Sequence, residues 1–250
     1  MDTVKVIING KECIAEKGQF LIDIAKANRI GIPHICHHEA LRGLNSCRLC
    51  IVEVTEGKRT RVVTSCAFPA MNDGLVVETN TDRIKKMRKV LLSLLRAEAP
   101  DNAYVTKTIK AFGATDSSRY EMSTGNDCIM CGLCVKACEE VGCTAIATVN
   151  RGTTKKISTP YDMESSDCIG CGSCAYVCPT ECIKMEDKDG IRTIWGKEFK
   201  LLQCNVCGGY YITEEQREHL LKRNIPEESL VCERCKKEHF SREMVKVFMK

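Results

Sequence analysis

The sequence lacks the features that direct a chain to a membrane or through it. Its start, MDTVKVIING, has no basic stretch followed by a long apolar run, which argues against a signal peptide. No stretch approaches about 18 consecutive apolar residues, so no membrane span is expected either. We therefore expect a cytoplasmic protein.

Motifs for nucleotide binding and for catalysis are also missing. No G-x-G-x-x-G follows a predicted strand and no GxxxxGK[ST] occurs, so neither a Rossmann site nor a P-loop is expected. No nucleophile–base pair or carboxylate dyad is recognisable. Aromatic residues make up only 5% of the chain and the formal net charge is +4, which gives no sign of a nucleic-acid surface.

Cysteine, by contrast, is abundant, with 19 among 250 residues. In a reducing compartment, cysteines in repeated CxxC spacing are typical of metal ligands rather than disulfides. An odd number also cannot be fully paired. Metal binding is therefore the chemistry to look for.

The strongest signal is an internal repeat, DCIMCGLCVKACEEVGCTAI against DCIGCGSCAYVCPTECIKM. Each copy has the spacing C-x2-C-x2-C-x3-C. In two-cluster ferredoxins each such run gives its last cysteine to the other run's cluster. The spacing thus predicts one [4Fe–4S] cluster on Cys128, Cys131, Cys134 and Cys178, and a second on Cys138, Cys168, Cys171 and Cys174.

The repeat resembles bacterial-type two-cluster ferredoxin domains, with two departures. The first run ends in Cys138-Glu139 instead of Cys-Pro, and about thirty residues separate the two runs, which indicates an inserted excursion. Cys143 and Cys182 stand just beyond each run. We expect them to be small buried hydrophobic residues, with spare ligands as the alternative.

A second set, Cys36, Cys47, Cys50 and Cys66, has the spacing C-x10-C-x2-C-x15-C. On a β-grasp scaffold, four thiolates from a long loop and a following strand suit a [2Fe–2S] cluster with two thiolates on each iron. The first gap is longer than the plant-type C-x4-C. A Rieske-type site using His37 and His38 would need a second Cys-x2-His segment, which the sequence lacks.

These motifs together resemble the N-terminal part of the complex I large iron–sulfur subunit. They equally resemble the related iron–sulfur subunits of NAD(P)-linked, including bifurcating, hydrogenases and formate dehydrogenases. The resemblance covers about residues 1–186. Such relatives usually carry a His-x3-Cys-x2-Cys-x5-Cys segment after a connecting helix, but LLRAEAPDNAYVTKTIKAFGATDSSRY has no Cys or His. We therefore expect that cluster to be absent.

The last quartet is Cys204, Cys207, Cys232 and Cys235. Two CxxC pairs about two dozen residues apart favour a four-thiolate zinc site. Gly208-Gly209 after the first pair supplies the permissive backbone that such a turn needs. A third [4Fe–4S] cluster is the alternative.

The expected fold class is α+β. We predict a β-grasp [2Fe–2S] domain over residues 1–79 and a helical connector over 80–125. A two-[4Fe–4S] ferredoxin domain over 126–195 and a zinc-ribbon-like tail over 196–250 should follow. Asn9-Gly10 predicts a hairpin in the first domain.

Two helices are expected outside the hairpin. The first spans 80–99, with an apolar stripe of Ile84, Met87, Leu91, Leu94 and Leu95, and with Lys85, Lys86, Arg88 and Lys89 mostly on the opposite, solvated face. The second lies in TEEQREHLLKR, between the two CxxC pairs of the tail.

Clusters carry single electrons but neither take a hydride nor split a substrate. We therefore predict a non-catalytic electron-transfer subunit of a hydrogenase, formate dehydrogenase or transhydrogenase complex. Its partners would be a flavin/NAD(P)-binding subunit and a second redox subunit or ferredoxin, with no nucleic acid and no membrane span, in an anaerobic prokaryote. A stand-alone polyferredoxin is the alternative. Succinate dehydrogenase-type subunits fit less well, because their first spacing should be plant-type.

Overall fold

The structure is a computed structural model that describes residues 2–41, 44–113, 127–226 and 231–248. The chain forms two compact units. Unit 1 comprises Met1–Lys136 together with Cys178–Cys182, and unit 2 comprises Ala137–Val177 and Ile183–Lys250. Among the described residues, no helix has the length and apolar character needed to cross a bilayer.

Unit 1 is built on a five-stranded mixed sheet with strand order β2-β1-β5-β3-β4. The predicted hairpin is present, and Asn9 and Gly10 form its turn with φ of 50° and 78°. The positive φ at both positions is what a tight two-residue hairpin turn requires. The strands are β1 Thr3–Ile8, β2 Lys11–Glu16, β3 Ile51–Glu56, β4 Arg59–Thr64 and β5 Leu75–Glu78.

One face of this sheet is closed by helix α1, Leu21–Ala27. Alternate residues of the strands point into the core, where Val6, Ile8, Val52 and Val77 are fully buried. Each such side chain contributes about 1.5–3 kcal/mol on burial. The sheet, the helix and the long segment between α1 and β3 give the β-grasp arrangement expected from the sequence.

The connector contains helix α2, Asp82–Glu98, and helix α3, Ala103–Ala111. Thr81 caps α2 by accepting a hydrogen bond from the backbone N–H of Ile84. The predicted apolar stripe is only partly correct, because the residues of α2 that are buried are Ile84, Arg88, Leu92 and Ala97. Met87 and Leu94 are exposed.

Arg88 is the main departure from the predicted solvated basic face, since only 3% of it is exposed. Its Nε donates to the carbonyl of Leu49 at 2.9 Å, its Nη2 to the carbonyl of Ile51 at 2.7 Å, and its Nη1 to Asn80 Oδ1 at 2.8 Å. These two carbonyls flank Cys50. A charged side chain is buried here because it satisfies the backbone of a cysteine loop.

Unit 2 begins within helix α4, Leu133–Val141. The predicted excursion between the two cysteine runs contains a small two-stranded sheet and short 3₁₀ turns. The sheet consists of β6 Ala147–Val149 and β7 Lys156–Ser158, and the second cysteine run includes the short helix α5 Ser173–Tyr176.

The rest of unit 2 contains a four-stranded antiparallel sheet with order β11-β10-β9-β8. Phe199 and Ile194 are the largest of its fully buried side chains. The boundary predicted at residue 196 falls in the turn between β9 and β10. The strands are β8 Met185–Lys188, β9 Ile191–Ile194, β10 Lys197–Gln203 and β11 Tyr210–Thr213.

Two helices follow this sheet. Helix α6, Glu214–Lys222, matches the prediction, and Thr213 caps it by accepting a hydrogen bond from the backbone N–H of Gln216. Helix α7, Glu233–Phe248, begins at the last CxxC pair and was not predicted.

Replacing Arg88 by Met should destabilise unit 1. The variant leaves the carbonyls of Leu49 and Ile51 without their donor. Each unsatisfied buried group costs about 1–3 kcal/mol, so the free energy of unfolding should fall by about 2–6 kcal/mol. Anaerobic guanidinium denaturation followed by circular dichroism measures this. Lys89→Met on the exposed face is the matched control, and equal shifts in both variants would contradict the role given to Arg88.

Candidate metal centres

The first centre lies in unit 1. The long loop before β3 supplies three cysteines and the 3₁₀ turn after β4 supplies the fourth. All are buried, with exposed fractions of 1% to 6%: Cys36, Cys47, Cys50 and Cys66.

These four thiols form two pairs. The backbone N–H of Cys47 donates to Cys36 Sγ at 3.4 Å, and Cys50 Sγ lies 3.3 Å from Cys66 Sγ. Within each pair a shared hydrogen bond favours one thiolate, and it lowers the pKa of Cys47 and that of Cys50. Two pairs of thiols suit a cluster with two irons, each bound by two thiolates.

The two histidines beside Cys36 have other contacts. His37 Nε2 lies 3.5 Å from Asp23 Oδ1, and burial lowers the pKa of its imidazole. His38 Nδ1 accepts a hydrogen bond from the backbone N–H of Ala40 at 3.2 Å. Four buried thiols already complete the donor set, so nothing in this geometry favours the Rieske-type alternative.

The second centre also lies in unit 1 and gathers cysteines that are distant in sequence. Cys178–Cys182, although it belongs to the second run, packs in the same compact unit as the first three cysteines of the first run. The pKa of Cys131 is raised to about 11 by burial and by the neighbouring thiolates of Cys178 and Cys182. Cys128 in turn is so close to Cys131 and Cys134 that the charges of their thiolates act on its pKa.

The third centre is a cavity within unit 2 that is partly open to solvent. Four of its lining cysteines are Cys138, Cys168, Cys171 and Cys174. Ile146 and Ile194 form part of its apolar wall. Cys138, from the first run, thus lines this cavity together with the first three cysteines of the second run.

Two N–H groups point at sulfur in this cavity. The indole Nε1 of Trp195 donates to Cys174 Sγ at 3.4 Å, and the backbone N–H of Ala145 donates to Cys138 Sγ at 3.2 Å. Trp195 occupies the hairpin turn between β9 and β10 with φ of 54°, an unfavourable backbone for a bulky residue. Strain of this kind concentrates at functional positions.

The sequence repeat is also a repeat of backbone conformation. The residues on either side of the second cysteine of each run have positive φ: Met130 and Gly132 in the first, Gly170 and Gly172 in the second. Such left-handed positions turn successive N–H groups inward. Gly170 has a further requirement, because a Cβ there would lie 2.7 Å from the ring of Phe199.

Loop 165–170, which carries Cys168, is held by side chains from the sheet of unit 2. Lys197 Nζ donates to the carbonyls of Ser165 and Cys168 at 3.3 and 3.1 Å, and Thr213 Oγ1 donates to the carbonyl of Ile169. Arg192 donates to the carbonyl of Gly170 at 3.0 Å and pairs with both carboxylate oxygens of Asp187. The polar tail is therefore part of the third centre's framework.

The fourth centre is the C-terminal quartet, Cys204, Cys207, Cys232 and Cys235. The four Sγ atoms all lie within 4.8 Å of one another. In the part of the chain that the structure describes, no other group of three or more His, Cys, Asp or Glu ligand atoms converges so closely. Gly208, directly after the first CxxC pair, has a positive φ, as the sequence indicated.

Cys182 and Cys143 each lie at a metal centre, although their sequence positions favoured a role as small buried hydrophobic residues. Cys182 is partly exposed, and its Sγ lies 3.5 Å from Cys178 Sγ in the second centre. Cys143 lines the third centre, where burial and the thiolates of Cys138 and Cys171 raise its pKa to about 11. Their matching positions just beyond each run were the available signal.

Comparison with known families agrees with this geometry. Residues 1–82 match the model of a 2Fe-2S iron-sulfur cluster binding domain, and residues 123–185 match that of a 4Fe-4S dicluster domain. Both matched regions therefore belong to iron–sulfur domain families. The thiol-rich donor sets at the first three centres fit these groups, whereas the C-terminal quartet lies outside both matched regions.

Two relatives show the wider resemblance. The NADP-reducing hydrogenase subunit HndD of Solidesulfovibrio fructosivorans is 34% identical over 72% of this chain and 36% of that protein. The NADH-ubiquinone oxidoreductase 75 kDa subunit of Reclinomonas americana is 29% identical over 62% of this chain and 26% of that protein. The iron–sulfur chain thus resembles the complex I large subunit and NAD(P)-linked hydrogenase subunits, and spans about a third or less of these relatives.

A solved structure of a hydrogenase is also similar to this chain. The crystal structure of NAD+-reducing [NiFe]-hydrogenase in the H2-reduced state contains a similar chain, with a TM-score of 0.55 and 27% identity. The similarity covers 62% of this iron–sulfur chain and 74% of that one.

Replacing Trp195 by Phe should lower the reduction potential of the cluster at the third centre. The indole N–H stabilises negative charge on Cys174 Sγ, which favours the reduced state, and loss of one hydrogen bond corresponds to a few tens of millivolts. Redox titration monitored by electron paramagnetic resonance measures it. Tyr161→Phe, at an exposed position of the same unit, is the control. An unchanged potential in the Trp195 variant would contradict this role.

Proposed function

We propose that this chain is the electron-transfer subunit of a multisubunit NAD(P)-linked oxidoreductase. It relays single electrons between a flavin/NAD(P)-binding subunit and a second redox partner through one [2Fe–2S] and two [4Fe–4S] clusters. The observation that carries the proposal is the presence of three separate cysteine centres, two of them close neighbours within unit 1.

The neighbouring centres of unit 1 support a direct electron path. Leu44, in the loop between Cys36 and Cys47, lies so close to Gly132 that a Cβ on that glycine would be 2.7 Å from Leu44 Cδ1. Gly132 directly follows Cys131, and the thiolate of Cys47 contributes to the raised pKa of Cys131. Electron transfer between these two centres therefore needs no intermediate cluster in the connector, where we expect that cluster to be absent.

The assignment of individual ligands is part of the proposal. We assign the [2Fe–2S] cluster to the first centre, one [4Fe–4S] cluster to Cys128, Cys131, Cys134 and Cys178, and the other to Cys138, Cys168, Cys171 and Cys174. Fully buried thiols at the first centre, buried and partly buried thiols at the other two, and inward N–H groups support it. Hydrogen bonds to sulfur and solvent exposure are the means by which a protein sets cluster potentials.

For the C-terminal quartet we propose zinc. With zinc–sulfur bonds of about 2.3 Å, the sulfur atoms of a tetrahedral site stand about 3.8 Å apart. The separation of 3.6 Å between Cys207 Sγ and Cys232 Sγ and the common limit of 4.8 Å suit one ion. A cubane distributes its thiolates over four separate iron atoms, so its sulfurs must stand further apart. Zinc carries no electrons, and its role here is structural.

Metal analysis of the anaerobically purified chain tests the zinc assignment. We expect about ten iron atoms and one zinc per chain. Cys207→Ser should remove the zinc and leave the iron, whereas Val206→Ser, at the exposed neighbouring position, should change neither. About fourteen iron atoms and no zinc in the unmodified chain would instead show a third [4Fe–4S] cluster.

Purification from the native cells tests the function. A tagged chain isolated without oxygen should bring down a flavin-containing subunit, and NAD(P)H should then reduce its clusters, seen as bleaching of the visible absorbance. The stand-alone polyferredoxin alternative predicts that the chain is isolated by itself and is reduced by dithionite but not by NAD(P)H.

A further inference from the structure

The second centre contains a fifth thiol. Cys182 Sγ lies 3.5 Å from Cys178 Sγ, and it also shares a side-chain hydrogen bond with Cys128. One donor beyond the four that a cubane requires therefore touches two of its assigned ligands. The family assignment gives this thiol no role.

The backbone brings Cys182 back to this position. The N–H of Glu181 donates to the carbonyl of Cys178 at 3.2 Å, and Glu181 has φ of 53°, so the segment after Cys178 turns on itself. Asn102, from the N-terminus of α3, donates through Nδ2 to the carbonyl of Thr180 at 3.0 Å. Thr180 is 5% exposed. The turn is thus fixed from both sides, and both thiols face the same centre.

We propose that Cys182 is a reserve ligand for the iron assigned to Cys178 in the second centre. When the Cys178 thiolate leaves the iron, the Cys182 thiolate binds in its place. One Fe–S bond breaks and one forms, the proton of Cys182 passes to Cys178, and no electron is exchanged. Because the turn holds both residues, the exchange requires side-chain movement only. The inference rests on the [4Fe–4S] assignment above.

Single and double variants of the full chain, purified without oxygen, test this exchange. Cys178→Ala and Cys182→Ala should each keep the full iron and sulfide content. The double variant should lose about four iron atoms per chain. In Cys178→Ala, the electron paramagnetic resonance signal of the reduced cluster should shift, because the ligand geometry has changed.

A matched double variant, Cys178→Ala with Cys13→Ala, provides the control. Cys13 is also a buried cysteine of unit 1, but its Sγ is directed to the carbonyl of Lys11. This variant should retain the cluster. The [2Fe–2S] signal of the same chain shows in every variant that unit 1 has folded.

The outcomes separate the inference from the assignment on which it rests. Loss of the cluster in either single variant, or its conversion to a three-iron form in Cys178→Ala, would overturn the reserve role while leaving the [4Fe–4S] assignment intact. Absence of any [4Fe–4S] signal from the unmodified chain would overturn the assignment itself.

Discussion

A loop that turns its N–H groups towards a cluster leaves its carbonyl groups to be satisfied from elsewhere, and the fold of this chain is arranged around that constraint. Buried carbonyls without partners are costly. Here long polar side chains from neighbouring helices and strands meet the need: Arg88 for the loop around Cys50, Asn102 for the turn after Cys178, and Arg192 for the loop at Gly170. Each donor ties a ligand loop to regular structure.

This constraint gives the C-terminal segment a second role. Lys197, at the start of β10, and Thr213, at the end of β11, bind the loop that carries Cys168, and the first CxxC pair lies between those two strands. A metal ion on the quartet would fix the connection of this hairpin. Its effect would then reach the third centre through hydrogen bonds, without any electron passing through the ion.

The cysteine spacings were enough to predict the fold class, and the Asn9-Gly10 pair was enough to predict the hairpin, because thiolate geometry and turn chemistry depend on residues close in sequence. The donors to the loops could not be predicted. Arg88 lies among lysines that do face solvent, and only the position of Leu49 and Ile51 in space makes its burial favourable. The four-stranded sheet was missed because its first strand, β8, has no alternation of buried and exposed residues, and all four of its residues are exposed.

The role of Cys182 likewise depends on neighbours in space that the sequence does not reveal. From sequence, a cysteine four residues after an assigned ligand has two ordinary interpretations, and its frequent burial as a small hydrophobe favours the simpler one. The structure favours the ligand interpretation because the turn at Glu181 places the sulfur of Cys182 against that of Cys178. A centre with five thiols has a choice of ligand that a centre with four does not. Because the fifth donor is held by the same backbone turn as the fourth, a lost bond can be replaced without unfolding the loop.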